Sequence, residues 1–276
     1  MIDMHTHLHP PRLFAAIRRW FAEKSTWNLT QPTEPKLVAS ALKSRGVERF
    51  VFCSYAHKPG MARTINEWLI QTAAELGGFG LPLATVHPAD TDCIEYYREA
   101  LQNGCVGIKV HEDVQQLSID HPHFDPIHKL TAEHHGFLLV HAGHIPWSDN
   151  TNHGPLRIRN VLEQHPQLKI VVAHLGIPDT GSYLELMNEH PNLYLDTTMA
   201  LAPSSPLRKE FDIELLIPHS DRILFGSDFP NLPYDYAEEY EPLSVLPDAV
   251  RNAILFQNAK GLLAPHLSRL KSDTPP

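Results

Sequence analysis

His5 and His7 stand one residue apart in the segment Ile2-Asp3-Met4-His5-Thr6-His7. In an extended strand, residues i and i+2 face the same side, so both imidazoles can grip one ion. A lone His-Thr-His is a weak signal, but other β-rich runs end on similar chemistry. His87, the pair Lys109 and His111, then His141, His174 and Asp228 each close such a run. Imidazole nitrogens with a carboxylate oxygen suit Zn²⁺, and also Mn²⁺, Fe²⁺ or Co²⁺. A divalent ion at such a site lowers the pKa of bound water from ~15.7 to about 7 and polarises a carbonyl. Metal-assisted attack on a small carbonyl compound is the chemistry these residues point to.

The polar residues need a frame that brings them together. Apolar, β-rich runs at 2–7, 49–53, 81–87, 106–111, 137–141, 169–174, 193–197 and 223–228 read as eight strands. Helix-like segments fall between them at 35–45, 61–76, 92–103, 124–135, 156–164, 182–189 and 207–217, with a last one at 248–263. Gly46, Gly77, Gly104 and Gly136 sit where helix C-terminal stops are expected. Strict strand–helix alternation predicts a parallel sheet, and eight units predict closure into a distorted (β/α)8 TIM barrel. The suspicious residues would then share the rim at the C-terminal ends of the strands. One domain is expected over residues 1–264, followed by a polar tail at 265–276. Residues 10–33, which include a short helix at 13–21, and the Pro- and Tyr-rich loop 231–247 would overhang that rim as walls or lids.

Composition narrows the function. A formal net charge of -9 gives no basic footprint for a polyanion, so nucleic acid is not an expected partner. No run approaches the ~18 apolar residues of a bilayer span, and no basic and apolar leader precedes His5. A cytoplasmic protein acting on a small molecule, away from membranes, is the simplest expectation; a homo-oligomer is left open. With 19 histidines against three cysteines, the metal ligands should be nitrogen and oxygen. Cys53, Cys93 and Cys105 show no metal-thiolate spacing and are expected to be reduced core thiols.

The ordered set Ile2-Asp3-Met4-His5-Thr6-His7, Val140-His141-Ala142-Gly143, Ala173-His174-Leu175-Gly176 and Phe225-Gly226-Ser227-Asp228-Phe229-Pro230 resembles the amidohydrolase superfamily. Within it, the chain is most similar to the amidohydrolase-2 (amidohydrolase-related) group of metal-dependent barrel hydrolases and decarboxylases. The resemblance implies that His5, His7, His141 and Asp228 bind one divalent metal, most simply Zn²⁺. It places His174 where relatives bind a second metal or hydrogen-bond the attacking water or substrate. From the chemistry of a metal-bound water, Asp228 is expected also to act as the catalytic base and His174 as an electrophilic helper or second acid/base. Lys109 falls where two-metal relatives carry a carboxylated lysine or a glutamate. An ordinary lysine facing substrate is slightly favoured over carboxylation, and one ion over two.

His57 and His111 are expected to bind substrate. Arg12, Lys58, Trp147 and Tyr234 have no certain place. His144 and His153 read as solvated loop residues, while Asp196-Thr197-Thr198 would hold the rim together by hydrogen bonds. Hydrolysis of a lactone, amide or cyclic amide by metal-activated water is the leading expectation. Non-oxidative decarboxylation of a carboxylated aromatic or dienoic acid is the alternative, and would call for positive charge around the acid and an aromatic pocket. A TatD-type deoxyribonuclease, which normally carries a glutamate where Lys109 stands, ranks lower, as does a non-catalytic binding barrel.

Overall fold

The computed structural model describes residues 1–142 and 154–272. Strands and helices alternate along them: β1 (Ile2–His7), α1 (Pro11–Lys24), α2 (Pro35–Ser44), β2 (Arg49–Cys53), α3 (Ala62–Glu75), β3 (Gly80–Pro82), α4 (Cys93–Gln102), β4 (Gly107–His111) and the single turn α5 (Glu112–Gln115). Then come α6 (Asp125–Glu133), β5 (Phe137–His141), α7 (Gly154–Gln164), β6 (Lys169–Val172), α8 (Thr180–Glu189), β7 (Leu193–Asp196), β8 (Ile223–Leu224), α9 (Asp248–Asn252) and α10 (Asn258–Ser272). Every ladder is parallel.

The strands form two arcs, β1-β2-β3 and β4-β5-β6-β7-β8. Both gaps are crossed by backbone hydrogen bonds. Val106 N–H donates to Pro82 O, Ala84 N–H to Gly107 O and Lys109 N–H to Ala84 O at one gap. At the other, Met4 N–H donates to Phe225 O, His7 N–H to Phe229 O and Asp228 N–H to His5 O. The ring is therefore a (β/α)8 barrel, distorted at those two seams.

Alternation along the strands divides the core in two. Val51, Leu81, Val106, Phe137, Leu139, Val171 and Leu224 pack with Ala259, Leu262 and Leu263 of α10. Phe50, Phe52, Ile108, Val110, Leu138, Val140 and Ile170 belong to the outer layer, against the helices. Strand β1 breaks strict alternation. Its register against β2 slips between Asp3 and Thr6. Such an extra residue re-aims the side chains beyond it, so Ile2 and Met4 join the inner core while His5 and His7, further along, line the cavity above.

Several boundaries differ from the sequence expectation. β3 and β8 form short ladders, and the residues just beyond them, Ala84 and Phe225, bond across the seams instead. β6 stops at Val172 because His174 and Leu175 take left-handed backbone angles, φ 58° and 52°. The helix expected at 207–217 is a 3₁₀ segment, Ile213–His219, with Pro218 inside it. The polar stretch from residue 265 begins inside α10, where buried His266 Nε2 donates to His135 O at 3.1 Å. No helix among the described residues is long and apolar enough to cross a membrane. His144, Trp147 and His153 lie outside the described residues.

Candidate metal centre

Strand ends and the turns after them place the polar residues around one cavity of about 470 Å³. His5 and His7 from β1, Lys109 and His111 from β4, His141 from β5, His174 after β6 and Asp228 after β8 all line it. Asp228 Oδ1 lies 2.9 Å from His7 Nε2 and 3.3 Å from His5 Nε2, so one carboxylate oxygen sits between the two imidazoles. Asp228 holds φ 70°, a left-handed conformation that few non-glycine residues adopt.

Hydrogen bonds fix which nitrogen of each ring is free. His5 Nδ1–H donates to Asp196 Oδ2 at 2.9 Å, leaving the Nε2 lone pair to accept from Lys109 Nζ at 3.0 Å. A second chain of donors starts at a carbonyl. Because Thr198 O can only accept, His174 Nδ1 carries the proton, at 3.0 Å. His174 Nε2 must then accept from His141 Nδ1–H, also at 3.0 Å. That leaves His141 Nε2 as a buried lone pair with no partner among the described residues. Orphaned buried acceptors are rare in folded proteins, and a metal ion is one of the partners that satisfies them.

Charge agrees with this assignment. Burial holds His141 and His111 far below the ordinary histidine range, and neighbouring imidazoles add to the effect. Burial, reinforced by the Lys109 ammonium and opposed by Asp196, brings His5 down to about 4. These rings are neutral, the form that binds metal. Asp228 goes the other way: burial opposes its ionisation, but His7, His5 and His174 outweigh it and keep the carboxyl well below the usual range. His7 is the exception: burial opposes its charge, but Cys53 and Asp228 outweigh burial and push it up to about 10. Its Nε2 proton must therefore leave before a cation can take that nitrogen, while neutral His5 and His141, the anionic carboxylate and the orphaned Nε2 fit a divalent cation as they stand.

Cys53 also lies near His5 and His7. Its thiol reaches His7 Nδ1 at 3.5 Å and donates to Thr6 O at 3.3 Å. That is the nitrogen of His7 opposite the one facing Asp228, so Cys53 orients the ring from behind. The donor set we favour therefore runs through Asp228, and Cys53 keeps its place as a buried thiol. Asp196 ties the rim together as its sequence position suggested, accepting from the His174 and Thr198 N–H groups on Oδ1, at 2.9 and 3.1 Å.

The remaining expected residues divide. His111 stacks on His141, with ring centroids 4.0 Å apart, and His57 lines the cavity half-buried. Arg12 and Lys58 are exposed, while the Tyr234 hydroxyl donates to buried Glu239. His87 is buried but caps its own turn through Ala89 N–H. Lys109 is thus the only lysine or arginine among the described residues that line the cavity. The sequence reading missed the other wall: Leu13, Ala16, Ile17, Trp20 and Phe21 of α1, with Trp27 beyond it. Positions 13, 16, 17, 20 and 21 follow the i, i+3, i+4, i+7, i+8 pattern of a helical stripe, a signal present in the sequence.

Comparison with known proteins identifies the family. The Amidohydro_2 (amidohydrolase) family matches residues 2–264. Over 328 aligned residues, 6-methylsalicylic acid decarboxylase of Penicillium expansum is 23% identical, covering 95% of this chain and 98% of that one. An uncharacterised TIM-barrel protein from Bordetella bronchiseptica superposes with a TM-score of 0.76 at 20% identity, covering 96% and 99% of the two chains. 5-Carboxyvanillate decarboxylase from Sphingomonas paucimobilis superposes with a TM-score of 0.67 at 16% identity, covering 96% and 98%. The chain belongs to the amidohydrolase family and is an enzyme of that family.

Proposed function

We propose that this amidohydrolase-family enzyme removes the carboxyl group of an aromatic carboxylic acid without oxidation, using a divalent metal held by His5, His7, His141 and Asp228. The carrying observation is a single cavity lined both by histidines, Asp228 and one lysine at the strand ends and by aromatic and aliphatic side chains of α1 with Trp27. A planar acid fits both linings at once. The fungal relative and the carboxyvanillate enzyme, both named for decarboxylation of aromatic acids, support the reading. Sequence alone favours hydrolysis; the aromatic lining of the cavity weighs for decarboxylation.

When bound, a divalent ion supplies positive charge that orients an anionic substrate and stabilises charge developing on it. Zn²⁺ suits the nitrogen and oxygen donors. Lys109, buried and facing the cavity, supplies a second positive charge for the substrate anion. As carbon dioxide leaves, the electron pair of the broken C–C bond stays on the ring carbon, which takes up one proton. Asp228 is the carboxyl group lining the cavity and carries that proton from water to carbon. Both ring nitrogens of His174 are engaged, so it sets the tautomer of His141 and acts as a positioning residue.

A hydrolase is the second reading, favoured by the ionised state of Asp228, which suits a base that accepts a proton from water. The test is carbon dioxide release from a panel of aromatic acids by metal-loaded protein, run beside lactones, amides and cyclic amides. Metal-dependent carbon dioxide release supports decarboxylation. Turnover confined to the lactones and amides would replace it with hydrolysis.

A further inference from the structure

The part of the cavity lining that α1 supplies has an unusual composition for a polar reaction centre. Leu13, Ala16, Ile17, Trp20 and Phe21 recur along one face of α1 at helical spacing, and all five line the cavity. A stripe of that kind normally seals against the core. Here only Phe14 of the helix is fully buried; Leu13, Ile17 and Phe21 are half-exposed and Trp20 is 39% exposed. Trp27 extends the surface by stacking on Phe21, with ring centroids 5.2 Å apart and planes 18° from parallel, and Leu207 adds to it. The apolar face of α1 thus looks into the space where substrate must lie.

Size points the same way. At about 30 Å³ per water in the liquid, a cavity of about 470 Å³ has room for roughly 16 waters, and a bare benzoate frame leaves most of it unfilled. Ligand sites of this size bury most of their ligand's surface.

We infer that the substrate is an aromatic acid carrying an apolar substituent, an alkyl chain or second ring of several carbons, that lies against Leu13, Ile17, Trp20, Phe21 and Trp27 while the carboxylate faces Lys109 and the histidines. This rests on the decarboxylase reading for the reaction, but the chain-binding surface stands on its own geometry. Each methylene moved from water onto such a surface contributes ~0.8 kcal/mol, about fourfold in affinity.

The experiment uses benzoates bearing 4-alkyl chains from methyl to hexyl, with calorimetric affinity and kcat/KM measured on metal-loaded protein. Affinity should climb two- to fourfold per carbon until the cavity is full, and Ala16→Trp, which occupies that space from a solvent-accessible helix position, should flatten the slope. Affinity independent of chain length in the wild type overturns the inference even if every acid is decarboxylated. Affinity that climbs with chain length but without carbon dioxide release upholds the inference and removes the decarboxylase reading instead. A slope that survives unchanged in Ala16→Trp moves the chain away from α1 and overturns the assignment of this wall.

Discussion

Replacing Asp196 with asparagine tests how the ligand set is built. The carboxylate is fully buried and accepts three hydrogen bonds: Oδ2 from His5 Nδ1–H at 2.9 Å, Oδ1 from the N–H groups of His174 and Thr198 at 2.9 and 3.1 Å. Asparagine keeps an oxygen for the two backbone donors. Toward His5 it turns an amide N–H₂, so a donor meets a donor. The imidazole must lose that bond or move its proton to Nε2, the nitrogen that faces Asp228. Either change weakens His5 as a ligand, and the rim loses one negative charge. Loss of such an outer partner typically costs ~10- to 100-fold in metal affinity, which is about 1.4–2.8 kcal/mol. Competition against a fluorescent chelator measures it directly, with circular dichroism confirming the fold. Metal affinity within about threefold of wild type, under 1 kcal/mol, would refute the assignment of Nε2 as the binding nitrogen.

Other perturbations have equally definite outcomes. Lys109→Met removes one charge-assisted contact worth ~1.5–3 kcal/mol, so KM for the acid should rise roughly ten- to hundredfold with one metal per chain retained; loss of one of two ions would instead make Lys109 part of a two-metal centre. Asp228→Asn should reduce kcat by at least about a hundredfold even where metal is retained, and turnover close to wild type in a metal-loaded sample would remove Asp228 from proton transfer. Stripping the metal should lower Tm, because an ion at 100 times its Kd adds about 2.7 kcal/mol of stability; an unchanged melting curve with and without chelator would contradict a site built on folded-state ligands. Gly107→Ala should destabilise the barrel by ~3 kcal/mol or more, since its Cβ would stand 2.1 Å from Phe137 O on the paired strand; wild-type stability would show that this ladder can shift.

The barrel was legible because its repeating unit is local: an apolar run, a glycine stop and a helix stripe recur often enough to be counted. The clustering of the candidate site residues was legible for the same reason, since a polar residue at the end of an apolar run in one unit shares its rim with its counterpart in the next. What stayed hidden depended on geometry without a period. The two seams rest on backbone bonds between irregular ends, such as Lys109 N–H to Ala84 O, and the slip in β1 cannot be read from alternation. The tautomer chain from Thr198 O to His141 needs three residues 24 to 57 positions apart to meet. The stripe on α1 was visible, but its direction was not; only the fold shows that it faces the cavity instead of the core.

The most direct test of the account is elemental analysis of the purified enzyme beside its His141→Ala variant. His141 Nε2 is the buried lone pair left without a partner. The expected result is about one divalent ion per folded wild-type chain, removable by chelation and restored on addition of metal, and a loss of at least tenfold in affinity when His141 is replaced. A wild-type protein that binds no divalent ion, or a His141→Ala variant that binds it as tightly as wild type, would contradict it.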